Sequence, residues 1–166
     1  YDTPEGTVDN SQSRMALGQV GGSWTGEHSY VGASYGYDDM EYGIPLVEEG
    51  IIRLAPTRHS FSARAGAQEL GGWLQSYRAT FGVRDYQHTE FEGEEVGTIF
   101  RNNTVEGELL LSHKKAGALV GSVGGWFLNR AFEAEGEEAL SPPVDQTGVA
   151  AFLYEEVESP HVTLQF

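Results

Sequence analysis

The stretch Ser76-Tyr77-Arg78-Ala79-Thr80-Phe81-Gly82-Val83-Arg84-Asp85-Tyr86 decides the fold. Tyr77, Ala79, Phe81 and Val83 alternate with Arg78, Thr80, Gly82 and Arg84, a period of two that fits a strand and no helix. The same alternation recurs in Thr104–His113, where Val105, Gly107, Leu109 and Leu111 share one side. It recurs again where His59, Phe61, Ala63 and Ala65 alternate with Ser60, Ser62, Arg64 and Gly66. Weaker patterns predict strands near Arg14–Trp24, Ser29–Tyr37, Ala118–Phe132, Thr147–Val157 and His161–Phe166. The chain therefore reads as all-β, an antiparallel meander of about eight strands. Several exceed the usual strand of about 5–6 residues and approach the 9–11 that cross a membrane.

Connection lengths are expected to alternate. Short turns are predicted at Thr25–His28, Glu69–Gly72, Lys114–Gly117 and Glu158–Pro160, and long loops over Asp38–Pro56, Gln87–Gly97 and Glu133–Gln146. Outer-membrane barrels join their strands by short turns on one side and long loops on the other. Acid concentrates in the long segments: Asp38, Asp39, Glu41, Glu48 and Glu49, then Glu90, Glu92, Glu94 and Glu95, then Glu133, Glu135, Glu137 and Glu138. The eight aromatics Trp24, Tyr35, Tyr37, Trp73, Tyr77, Tyr86, Phe91 and Phe100 fall near expected strand ends, where two interfacial girdles would place them. A soluble sandwich or up-and-down barrel also has one apolar face, so periodicity alone leaves that alternative open.

Composition narrows the function. The net charge of −15 excludes a phosphate-binding surface and so a nucleic-acid partner. With no Cys, neither disulfides nor thiolate metal sites exist. No run of about 18 apolar residues occurs, so no transmembrane helix is available. The five His residues show no zinc-helix spacing, and no nucleophile elbow or dinucleotide loop is present. No catalytic residue is expected. His88 with Glu90, Glu92, Glu94 and Glu95, and the group Asp38, Asp39 and Glu41, are the candidate ligand or divalent-cation residues. The plain alternative is a solvated acidic surface.

Three stretches carry a family resemblance. They are Tyr1–Gly6 with Asn10-Ser11; Tyr30–Ser34 with Tyr37-Asp38 and Glu41-Tyr42-Gly43-Ile44-Pro45; and Asp85–Glu90 with Gly97–Asn102 and Glu106-Gly107. In order and spacing they resemble a barrel region of TonB-dependent outer-membrane receptors. No segment resembles the plug domain or TonB box of that family. Pro45 is followed by Leu46-Val47-Glu48-Glu49-Gly50, without the His-rich insertion of the zinc-uptake branch. The resemblance implies a partial barrel domain over residues 1–166, set in outer-membrane lipid beside the remaining strands and plug of a parent receptor. Such a receptor takes up a scarce nutrient, such as a metal chelate or cobalamin, with energy from the TonB system. The sheet is expected not to close by itself, because the last strand is short and the turn order puts both ends on one side. The alternative from another class is a soluble secreted β-protein that binds a ligand or assembles edge to edge.

Overall fold

The computed structural model describes residues 2–4, 6–45, 51–137 and 139–166. A small hairpin of β1 (Asp2–Thr3) and β2 (Gly6–Thr7) precedes one large sheet. The sheet comprises β3 (Ser13–Thr25), β4 (Ser29–Ile44), β5 (Ile52–Gln68), β6 (Leu74–Glu92), β7 (Glu95–His113), β8 (Leu119–Gly136), β9 (Val144–Glu158) and β10 (Thr163–Gln165). Each strand pairs antiparallel with its sequence neighbours, giving the eight-stranded meander expected. Among the described residues there is no helix. β3 and β10 lie at opposite edges of an open sheet. Apart from β10, the strands of this sheet run 13–19 residues.

The alternation around Phe81 holds as read. Phe81 pairs with Ala63 and Gly107, whereas Arg78 pairs with Gly66 and Leu110, so the two occupy opposite faces. Val105, Leu109 and Leu111 share the Phe81 face through Val83, Ala79 and Tyr77. Pro142 and Pro143, which lack N–H donors, fall between β8 and β9 and outside the ladder.

One connection differs from expectation. The predicted long loop over Gln87–Gly97 is a two-residue turn, Gly93-Glu94, closing β6 onto β7 with Glu92 opposite Glu95. Gly93 has φ 63°, as the first central position of a primed hairpin turn requires. The Glu-rich composition hid this hairpin, but Thr89, Phe91, Val96, Thr98 and Ile99 supply β-branched and aromatic residues to its ladder. β4 and β8 likewise run into the other two presumed loops. Asp38, Asp39 and Glu41 are thus strand residues, as are His88, Glu90 and Glu92, with Glu95 opening β7. Of the loop expected over Asp38–Pro56, only Pro45 and Ile51 are described between β4 and β5, and Glu48 and Glu49 fall outside the described residues.

The sheet is a single layer. Among the described residues Leu54, at 7% exposure, is the buried hydrophobic side chain. The chain exposes 11524 Å², against roughly 8,100 Å² for a compact monomer of this mass. Small domains are held by a shared core, and here the faces that would form one are uncovered.

Candidate functional site

The acid-rich end of the sheet comes first, since the sequence placed its ligand candidates there. His88 Nε2 lies 3.3 Å from Glu90 Oε1 but is not aligned to hydrogen-bond with it, and this buried nitrogen has no other partner among the described residues. Strand alternation puts both side chains on the Arg78 face, and the His88 ring packs 5.1 Å from that of Phe100. Glu92 lies beyond the register shift at Glu90/Phe91, Glu94 is in the turn, and Glu95 faces Glu92. Asp38 accepts from Arg58 Nε at 2.6 Å, and Glu41 from Arg53 at 2.9 Å. Arg53 also lies 4.2 Å above the Phe91 ring. Asp39, opposite Ala16 and Thr57, shares the Phe81 face with Glu41, whereas Asp38 stands on the Arg78 face. The eight candidates therefore do not converge. Among the described residues no three His, Asp or Glu side chains gather closely enough to hold a metal.

At the opposite end, the turns carry their own charges. His113 Nδ1 lies 2.7 Å from the Lys114 carbonyl oxygen and Nε2 lies 3.1 Å from Glu155. Two acceptors are best met when both ring nitrogens donate, so the Lys114 carbonyl and then the Glu155 carboxylate raise the His113 pKa. Lys115 pairs with Glu158, and His28 Nδ1 lies 3.4 Å from Glu69.

Between these ends the Phe81 face carries an apolar band whose upper limit can be followed strand by strand. Moving toward the acid-rich end, its first polar residue is Arg14 on β3, Asp39 on β4, His59 on β5 and Asp85 on β6. It is then Asn103 on β7, Asn129 on β8 and Thr147 on β9. Cross-strand pairing shows that this limit slants. The Thr147 row contains Val83, whereas the Arg14 row contains Glu41 and, through Ala55, Thr89. Six residues along β6 thus separate the two limits over six strand steps, one residue per strand. With about 3.3 Å per residue and about 4.8 Å between strands, a level border across this sheet needs strands inclined by about 35°. On β3 to β8 the band is about seven to nine residues tall, or roughly 20–30 Å, and on β9 Glu155 ends it below Leu153.

Aromatic side chains border the band unevenly. Trp24 and Tyr77 stand toward the turn end, and Tyr35 and Tyr37 toward the acid-rich end. The Tyr35 hydroxyl is hydrogen-bonded to His59 Nδ1 at 2.6 Å, and the Tyr37 ring lies 4.9 Å from His59. The girdle reading fails for Tyr86 and Phe100, which project from the Arg78 face, because the apolar phase changes sides there. Above the band, the Phe81 face turns polar with Asp39, Gln87, Arg101 and Glu133. At the same height the Arg78 face carries Leu17, Met40, Tyr86, Phe100 and Phe132. Met15, Leu17, Met40, Tyr42 and Tyr86 line a cavity of about 310 Å³ there.

Behind the band the Arg78 face carries most of the polar side chains, although Trp126, Leu128 and Phe152 also stand on it on β8 and β9. Arg84 donates to Glu106 at 2.8 Å and Arg130 to Asn102 at 2.8 Å. Ser34 and Ser62 share a hydrogen bond of 2.8 Å between them. Sequence alternation located these residues without showing how their charges add across strands, because that sum depends on register.

No protein-family model matches the chain, and none of the curated proteins compared with it is significantly similar.

Proposed function

We propose that this chain is part of the wall of an outer-membrane β-barrel of the TonB-dependent receptor type, serving uptake of a scarce nutrient and carrying no catalytic residue. The observation that carries this reading is the slanted upper border of the apolar band. Barrel strands incline by about 35–45°, so the border of a lipid-facing band must drift across register rows by about the step found here. A soluble sandwich needs no such drift, since its core follows the packing of a second sheet. The band height, near the roughly 25 Å of apolar wall in such barrels, and the aromatic borders agree with it.

The open edges fit the same reading. β3 contains neither Pro nor Lys, and Arg14 is its one charge, so the usual protections of a free edge are absent. Unpaired edge groups in lipid cost several kcal/mol each, so further strands complete the wall on both sides. The receptor type rests on the resemblance of Glu41–Pro45, Asp85–Glu90 and Gly97–Asn102. Metal binding by His88 and the acidic residues is not part of the proposal, because Glu41 and Asp38 already serve Arg53 and Arg58 and, among the described residues, the others form no cluster of three.

Extraction tests the proposal. In membranes of the producing cell, the protein is expected to remain sedimentable through alkaline carbonate and urea washes and to dissolve only in detergent. Release by either wash would instead favour a soluble secreted β-protein.

A further inference from the structure

Asn10-Ser11 and Glu41–Pro45, far apart in the sequence, meet at the acid-rich end of the sheet. The Asn10 side-chain amide donates to the Ile44 carbonyl at 2.8 Å and to the Ile52 carbonyl at 2.6 Å, so both of its hydrogens are engaged. Gln12 Nε2 donates to Asn10 Oδ1 at 3.1 Å, which sets the way the amide points. Ile44 and Ile52 are the last pair of the β4–β5 ladder, and the amide takes the place of the next peptide group. Asn10 reaches them with φ 52°, a left-handed conformation that Asn accepts more readily than most residues. Gly43 leaves the space, since a Cβ there would overlap both the Asn10 side chain and its carbonyl oxygen. Its N–H donates to the Gln12 carbonyl at 3.0 Å.

The bonded row continues into the next connection. The Ile51 carbonyl accepts from the N–H of Gly93, in the β6–β7 turn, at 2.8 Å. Arg53 donates to Glu41 at 2.9 Å and lies 4.2 Å above the Phe91 ring, so β4, β5 and β6 are also joined through side chains. On the far side of Asn10, the β1–β2 hairpin approaches no other strand among the described residues. We infer that Asn10 is a clasp that couples the segment leading from this hairpin to the ends of β4 and β5 and, through Ile51, to the β6–β7 turn. Ladder ends open at the least cost, because few bonds must break together. An amide that holds one carbonyl from each strand keeps the two ends from parting. When it withdraws, both ends fray, and the turn bonded to Ile51 loosens with them. Displacement of the hairpin is thereby transmitted to a turn two hairpins away, and the coupling is reciprocal. These bonds are the same whether the sheet stands in lipid or in water.

Amide hydrogen exchange of the full protein tests the clasp, with Asn10→Asp as the variant. Asp accepts the same left-handed backbone but presents a carboxylate, with no donor, to two carbonyl oxygens. Protection is expected to fall at least about tenfold at Gly43 and at Gly93 alike, as the loss of one to two hydrogen bonds implies. At Ala63 and Phe81, in mid-strand, it is expected to stay unchanged. In the reverse direction, Gly93→Val, strained at φ 63°, should lower protection at Gly43. A fall at Gly43 with Gly93 unchanged would overturn the coupling, and so would unchanged protection at both, or a Gly93→Val protein in which Gly43 is unaffected. An equal fall at Ala63 and Phe81 would make Asn10 a general support of the fold, which overturns the clasp as well.

Discussion

Phe127→Arg is expected to prevent stable assembly in the bilayer, while Leu128→Arg, one residue on, leaves it nearly intact. Phe127 lies on the apolar band, in the row of Phe81, Gly107 and Val149. Leu128 points to the other face, opposite Glu106, where an added guanidinium meets a carboxylate. An Arg on the lipid side near the bilayer midplane costs about 2–4 kcal/mol, or about 30- to 1,000-fold in the folding equilibrium. Facing a wet or protein-filled side, it costs little. The folded fraction in lipid, read from the heat-modifiable gel mobility of barrels, separates the two variants. Equal loss from both would mean that the faces are not differently solvated.

Gly121→Val should cost about 3 kcal/mol or more, at the upper end for overpacking. A Cβ at Gly121 would come within 2.3 Å of the Tyr154 carbonyl oxygen, and that backbone atom is fixed by the β8–β9 ladder. Relief requires the two strands to separate near Glu155, whose carboxylate reaches His113. Gly22→Ala is the control, because nothing lies within 4 Å of its added Cβ. Removing a strand glycine there should be neutral or stabilising by about 0.5–1 kcal/mol. Urea unfolding of the two variants in detergent checks both values, and similar midpoints would contradict the close approach at Gly121.

The meander was legible because β3 to β8 each keep one apolar phase over at least four alternate positions, as Tyr77–Val83 and Val105–Leu111 do. Strand ends at the acidic side were not. There the apolar phase moves to the other face, so Tyr86, His88 and Phe100 share parity with Arg78 and the familiar pattern stops although pairing continues. Hydropathy along one strand registers this as a loop, and only the cross-strand partners show the continued ladder. The candidate ligands failed to converge for a related reason. Residues close in sequence on a strand alternate between faces, so Asp38 and Asp39 point apart, and each face supplies its own arginine. The slant of the band's upper border was equally hidden, since it exists only in the registers of seven strands compared together.

Depth-dependent fluorescence quenching tests the central claim most directly. Trp126 projects from the Arg78 face, opposite Glu108 and Ala150. One single-tryptophan variant retains Trp126, with Trp24→Phe and Trp73→Phe. A second carries Phe81→Trp with all three native tryptophans replaced by Phe. Both are reconstituted in bilayers whose acyl chains are brominated at mid-depth. The account predicts strong quenching of the tryptophan at position 81 and little of Trp126. Equal quenching of the two, or quenching confined to Trp126, would contradict it.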